Sequence, residues 1–160
     1  TEGKGWVLRN SKGQYTLTLD GLKAGSLERK TPALEIQGDL TLVLKKGTES
    51  ELLSADAALK KGAGTLTIRG EGSLRLQGET ALEGEWKEET LNQDEPSALR
   101  IEGGKLVFTG EETALYEDTV ELAGGEVQIQ CLNGKGTGIR AHTLDDRHFS
   151  GSLEMEESEE

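Results

Sequence analysis

Residues that could bind a ligand are concentrated between positions 140 and 148. This segment holds both histidines of the chain, two arginines and two adjacent aspartates: Arg140, His142, Asp145, Asp146, Arg147 and His148. Adjacent carboxylates supply the oxygen ligands that suit a hard cation such as Ca²⁺. A guanidinium can bind a carboxylate through two parallel hydrogen bonds. The segment therefore predicts a binding site with Asp145 and Asp146 as metal ligands. A solvated end turn, in which acidic and basic groups offset one another, explains the same residues without a ligand.

Acidic residues beside turns form a second candidate metal site. Asp39 and Asp118 each precede a short run of alternating apolar residues. If such turns stack in a coil, their carboxylates repeat at about 4.8 Å and could bind Ca²⁺ together. Aspartate is also favoured in turns because its side chain accepts hydrogen bonds from nearby backbone N–H groups. A purely structural role is therefore the alternative for both residues.

Trp86 stands in a long polar stretch of the chain, between Glu83 and Glu95. An indole ring offers a sugar an apolar face for stacking and an N–H that can donate a hydrogen bond. The same ring could instead fold back and cover the core. The sequence leaves both roles open for Trp86.

These candidate residues need a scaffold, and the rest of the sequence indicates a repetitive one. Residues 97–129 contain one pattern twice, in which an Ala-Leu pair and Gly-Gly punctuate alternating runs. Similar restarts begin at six positions: Ala33, Ala58, Ala81, Ala98, Ala114 and Gly138. Their mean spacing is about 21 residues, and short strands with glycine corners at such a period are typical of a solenoid.

The sequence therefore predicts an all-β fold, a single-stranded right-handed parallel β-helix with about six turns and a period near 20 residues. Residues 1–153 are predicted to form one domain with irregular end caps, and the acidic residues 154–160 to be disordered. At the Gly103-Gly104 corner we expect a positive φ, which only glycine adopts at little cost.

Three sequence motifs resemble those of a known group of proteins. They are Ala-Leu-x-Ile-x-Gly-Asp-Leu-Thr-Leu from Ala33, Gly-Gly-x-Val-x-Ile from Gly124, and Asn-Gly-x-Gly-x-Gly-Ile from Asn133. This pattern is similar to small right-handed parallel β-helix proteins of the pectate-lyase-like superfamily, and most of all to its non-catalytic, polygalacturonate-binding members. The resemblance implies binding of an acidic polysaccharide without cleavage, with Arg140, His142, Arg147 and His148 as carbohydrate-binding residues and a uronate carboxylate as the partner of an arginine. Lyases of this fold use a carboxylate cluster that holds calcium and an Arg or Lys base.

Composition limits the class of partner. The formal net charge is −12, which argues against nucleic acid and against anionic membrane surfaces. No apolar run has the length needed to span a membrane. Cys131 is the single cysteine, and its alternation with Ile129 predicts a buried position.

These features together predict a non-catalytic, secreted or cell-surface protein that binds polysaccharide, with Ca²⁺ as a candidate cofactor for an acidic one. Two alternatives stay open. One is a polysaccharide lyase, and the other is a structural spacer or adhesin segment without a ligand of its own.

Overall fold

The computed structural model describes residues 2–85, 97–133, 136–141, 143–147 and 149–157. Within these ranges the chain is all-β, contains no helix, and coils into a parallel β-solenoid of about five turns with a period near 25 residues. The fold class predicted from the sequence is confirmed. The strands of the first half are β1 (Glu2–Gly3), β2 (Trp6–Ser11), β3 (Gln14–Leu19), β4 (Lys23–Ser26), β5 (Leu34–Ile36), β6 (Leu40–Leu44), β7 (Glu49–Ser54), β8 (Ala57–Lys61) and β9 (Gly64–Gly70). Those of the second half are β10 (Ser73–Glu83), β11 (Ser97–Ile101), β12 (Lys105–Tyr116), β13 (Thr119–Leu122), β14 (Glu126–Cys131), β15 (Thr137–Arg140), β16 (Thr143–Asp145) and β17 (Ser152–Glu157).

The strands are arranged on three faces of the coil. Face one consists of β3, β6, β9, β11, β13 and β16, which are parallel in that order. Face two consists of β4, β7, the first part of β10, the first part of β12, β14 and β17. Face three consists of β5, β8, the second parts of β10 and β12, and β15. The strands β10 and β12 belong to two faces, because their first parts pair with β7 and β14 and their second parts with β8 and β15. Their mutual register shifts between Gly78 and Thr80.

Face three shows how the sequence builds the core. Leu34, Leu59, Leu82, Leu115 and Ile139 pair in register from one turn to the next. Successive residues of a strand point to opposite sides, so one row of each face aims at the axis of the coil. The three central leucines of this row are fully buried, and so are the alanines that precede them, Ala58, Ala81 and Ala114. The repeated Ala-Leu pair is therefore part of the scaffold.

The turns are longer than the sequence pattern suggested, and Ala98 accounts for the difference. Ala98 lies on β11 in face one, whereas Ala114 lies on the second part of β12, in face three of the same turn. The step between these two residues joins two faces, so the pattern counted one turn too many. The longest turn separates Leu82 from its partner Leu115, and its connection contains residues 86–96.

The last strand extends into the segment that was predicted to be disordered. β17 continues to Glu157 and pairs in parallel with β14 along its whole length. The reason is the alternation of Leu153 and Met155 with acidic residues, because it lets the apolar positions pair with Val127 and Ile129 of the previous turn.

Glycine corners allow neighbouring turns to stack closely. Gly104 has a φ of +98°, which confirms the positive φ expected at this corner, and Gly125 at the same corner of the next turn has a φ of +89°. A Cβ on Gly125 would lie 2.9 Å from the Gly104 carbonyl oxygen and from the Gly103 carbonyl carbon. A side chain at Gly125 would therefore be strained in its backbone and crowded by the turn before it.

The two ends of the coil differ. At the amino-terminal end β1, β2 and β3 form an antiparallel meander, so β2 covers the outer edge of β3 in face one. At the carboxyl-terminal end β17 has β14 as its one partner among the described strands. Leu144, Leu153 and Met155 are exposed there.

Candidate functional site

The segment between Arg140 and Arg147 wraps around one end of face one. Arg140 ends β15 in face three, and its Cζ lies 5.7 Å from the centroid of the Tyr116 ring, which is within the range of a cation–π contact. The strand β16 runs from Thr143 to Asp145, so Arg140 lies before this strand and Arg147 lies after it. The fold therefore does not bring the two arginines together as a pair, and His142 and His148 lie outside the described residues.

Asp145 and Arg147 bind each other. Arg147 Nε donates to Asp145 Oδ1 at 3.0 Å, and its Nη2 donates to Oδ2 at 2.9 Å. The pKa of the Arg147 guanidinium is raised, mainly by these hydrogen bonds and next by the negative charge of Asp145. Asp145 was predicted to bind a metal and Arg147 a uronate, but the two side chains bind each other in the structure. The neighbouring Asp146 is exposed.

Asp39 and Asp118 occupy the same corner of the coil, between face three and face one, but in different turns. Asp39 precedes β6 and Asp118 precedes β13, with β9 and β11 between them in the sheet. Three strand spacings separate such positions by roughly 14 Å, which is too far for two ligands of one ion. Asp39 Oδ1 accepts a hydrogen bond of 2.8 Å from the Thr65 N–H of the next turn, so its carboxylate links two turns of the coil. The described residues contain no group of three or more His, Cys, Asp or Glu that could hold a metal ion.

Trp86 belongs to residues 86–96, which lie outside the described residues. Gly84 precedes this segment and Ser97 follows it. Ser97 is fully buried, and it lies between two buried charges, Lys61 and Glu117. The sequence analysis missed this triad of Lys61, Ser97 and Glu117.

The triad is closely connected. Lys61 Nζ lies 2.8 Å from Glu117 Oε2, and both side chains have no exposed surface. The ammonium donates to the carbonyl oxygens of Gly62 and Gly64 at 3.1 and 2.8 Å and to Ser97 Oγ at 2.9 Å. These three acceptors use all three N–H groups of a lysine. Glu117 Oε2 therefore meets Lys61 as an ion pair without accepting a hydrogen bond.

The other carboxylate oxygen of Glu117 is well satisfied. Ser97 Oγ donates to Oε1 at 2.6 Å, and the Asp118 N–H donates to it at 2.8 Å. Lys61 and Glu117 each stand two residues beyond a core leucine, Leu59 and Leu115, and thus share the inward parity of the core. The sequence signal for this buried ion pair was therefore the inward position of two opposite charges that lie two turns apart. Charged residues are almost never fully buried without a partner, so two inward charges predict each other.

Gly84 separates the two charges in the stack of turns. A Cβ at this position would overlap the Glu117 carboxylate. The absence of a side chain therefore lets Lys61 reach Glu117 across the intervening turn. Gly84 and Ser97, which lie on either side of residues 86–96, are thus both next to the Glu117 carboxylate.

A cavity of about 460 Å³ opens at the amino-terminal end of the coil. Its walls are largely apolar, and the polar residues in its lining are Glu35, Gln37 and Asp39. The apolar walls come from the first turn and its cap: Trp6, Leu8, Tyr15, Leu17, Leu22, Ala24, Ala33, Leu34, Ile36 and Leu40. A concave apolar site of this size with a few polar groups is typical of ligand pockets.

The outward surface of face two is a second candidate. Its register aligns side chains in rows, and one row contains Gln77, Thr109 and Gln130, of which Thr109 is buried. The Thr109 hydroxyl donates to Gln130 Oε1 at 2.9 Å. A groove of about 230 Å³ crosses β12, β14 and β17 on this face. Its outward lining residues are Lys105, Val107, Glu126, Gln128, Ser152 and Glu154.

The described residues include no helix that is long and apolar enough to cross a membrane. Comparison with protein-family models, with curated proteins and with solved structures yielded no match to this chain.

Proposed function

We propose that the protein binds polysaccharide without cleaving it, and that face two carries the binding surface. The observation that supports the proposal is the parallel register of this face, which places hydroxyl, amide and charged side chains in rows along the coil. Amide and hydroxyl groups both donate and accept hydrogen bonds, as the hydroxyl groups of a sugar do. Rows of such groups beside a groove of about 230 Å³ suit a long, repeating ligand.

The finer family assignment belongs to the same proposal. We place the chain with the carbohydrate-binding members of the pectate-lyase-like superfamily on the sequence motifs given above. The solenoid fold is consistent with that group. A secreted or cell-surface location is part of the proposal, because structural polysaccharides lie outside the cell.

Charge decides how an acidic polysaccharide would bind. The chain carries a net charge of −12, and two basic side chains of face two lie close to carboxylates. Arg75 Nη1 lies 3.9 Å from Glu51 Oε2, and Lys105 Nζ lies 3.9 Å from Glu126 Oε2. A bridging cation would offset the repulsion between an acidic polysaccharide and this surface, so we propose that such binding depends on Ca²⁺.

A glycan array tests the proposal when it is run once with Ca²⁺ and once with EDTA. We expect polysaccharide to bind. Acidic polysaccharide should bind in the run with Ca²⁺ and not in the run with EDTA. Gln128→Ala and Gln130→Ala should weaken binding several-fold, whereas Thr41→Ala and Thr67→Ala on the outward side of face one should not. Thermal unfolding of each variant controls for folding.

Two results would overturn parts of the proposal. Absence of binding under both conditions would reject polysaccharide as the partner. Release of unsaturated product from polygalacturonate in the presence of Ca²⁺ would replace binding with lyase activity.

A further inference from the structure

The first strands of faces two and three leave one edge uncovered. In the part of the chain that the structure describes, β4 pairs with β7 and β5 pairs with β8, and no strand lies on their outer side. Face one differs, because β2 covers its first strand. An uncovered edge presents backbone N–H and C=O groups that can pair with an incoming strand.

The apolar cavity lies beside these edges. Leu22 and Ala24 line it next to β4, and Trp6 and Leu8 line it from the cap. Ala24 begins an inward row of face two, in which it pairs with the much larger Leu52 of the next turn. Because Ala24 is small, the cavity has room for a larger apolar side chain from a strand added outside β4.

Charge at this end is less negative than in the rest of the chain. Residues 1–40, which include the lining residues Glu35 and Asp39, contain six basic and five acidic residues, a net charge of +1 in a chain whose total is −12. Lys23 on β4 begins an outward row in which it pairs with Glu51, and Glu51 pairs with Arg75. An acidic residue placed outside Lys23 would continue this alternation of charge.

We infer that the outer edge of β4 accepts an extended peptide from a separate partner protein, in which apolar and acidic residues alternate. Its backbone pairs with β4, its apolar side chains enter the cavity beside Ala24, and its acidic side chains lie beside Lys23. In strand addition of this kind the main chain supplies affinity and pockets for alternate side chains supply specificity. The inference is independent of the proposed function, because face two contacts polysaccharide on its outward surface and the peptide on its edge.

The test measures the fluorescence anisotropy of a fluorescein-labelled probe peptide, Ser-Ile-Glu-Val-Glu-Glu, in the presence of the full chain. The control peptide is Ser-Ile-Lys-Val-Lys-Lys, which has the same apolar positions and the opposite charge. We expect the acidic peptide to bind at least ten times more tightly than the basic one, and its binding to weaken as NaCl rises.

Variants locate the contact. Lys23→Glu should reverse the preference between the two peptides, whereas Lys105→Glu, which lies on the same face but away from the end, should preserve it. Ala24→Leu should weaken binding of the acidic peptide because it fills the space beside β4. Unchanged thermal unfolding confirms that each variant is folded.

Three outcomes would overturn the inference. One is equal binding or no binding of the two peptides. The second is an acidic preference that Lys23→Glu leaves intact. The third is self-association of the chain that Ala24→Leu abolishes, since a second copy would then be the occupant of this end.

Discussion

Lys61 Nζ and Glu117 Oε2 lie 2.8 Å apart inside the coil, and both side chains are fully buried. Removing each charge from water costs several kcal/mol, which is recovered only when both groups are well partnered. Here Ser97 Oγ accepts from the ammonium and donates to the carboxylate. The arrangement joins two turns of the coil across the intervening turn that contains Gly84. We interpret it as a device that fixes the register of these turns.

Removing one charge of the pair should be costly. Lys61→Met leaves the Glu117 carboxylate buried without a counter-charge, and we expect it to lower the free energy of unfolding by about 3–5 kcal/mol. The double variant Lys61→Met, Glu117→Leu removes both charges and should lose much less than the sum of the two single losses. Urea unfolding of the four proteins measures the coupling. Additive losses would show that the two charges do not interact in solution.

Gly84 should tolerate no side chain while Glu117 is present. Gly84→Ala places a Cβ in the space of the carboxylate, and crowding of a well-packed interior costs about 1–3 kcal/mol. In the Glu117→Ala background the obstacle is gone, so the same substitution should cost distinctly less. Urea unfolding provides both values. An equal cost in the two backgrounds would mean that Gly84 is needed for another reason.

Parity and glycine placement made most of the fold predictable. Alternation of leucine with polar residues identified the buried rows, and Gly104 and Cys131 have the positive φ and the burial that the sequence predicted. The number of turns was less accessible, because an Ala-Leu pair occurs on two faces of one turn. Local patterns do not record which face a strand belongs to, and the register of Ala98 is set by pairing with distant strands.

The candidate site was predictable only where chemistry is local. Asp145 and Arg147 are two residues apart, and their proximity followed from the sequence, but their binding to each other did not. Lys61 and Glu117 are far apart in the chain, and they become neighbours only once the turns are stacked. The cavity at the amino-terminal end has no local signal, since its lining combines residues as far apart in the chain as Trp6 and Leu40.

The close stacking of glycine corners gives a matched pair of substitutions. Gly125→Ala meets a positive φ of +89° and backbone atoms of the previous turn at 2.9 Å, whereas Gly13→Ala meets a positive φ of +82° and no other atom within 4 Å. Backbone strain alone costs about 1 kcal/mol or somewhat more. We therefore expect both variants to unfold at lower urea concentration than the parent, and Gly125→Ala at the lowest.

The comparison isolates stacking from strain. An equal loss of stability in Gly13→Ala and Gly125→Ala would show that Gly103 and Gly104 do not crowd a side chain at position 125.

Cys131 can report on the stability of the last turns. The side chain is buried, and Sγ lies 3.2 Å from the Asn133 carbonyl oxygen. It belongs to β14, which one further strand, β17, separates from the open end of the coil. In a solenoid each turn contacts its neighbours alone, so opening can begin at an end. We expect the thiol to react slowly with a maleimide in native buffer, and rapidly in urea.

Two substitutions at opposite ends test whether opening is local. Leu153→Ala weakens the pairing of β17 against β14 and should accelerate native labelling of Cys131 several-fold. Leu8→Ala weakens the cap at the other end and should leave the native labelling rate unchanged, although it lowers the melting temperature. If both variants accelerated labelling equally, the thiol would become accessible through global unfolding, and the coil would open as one cooperative unit. A selective effect of Leu153→Ala instead makes the end of the coil beyond β14 its least stable part.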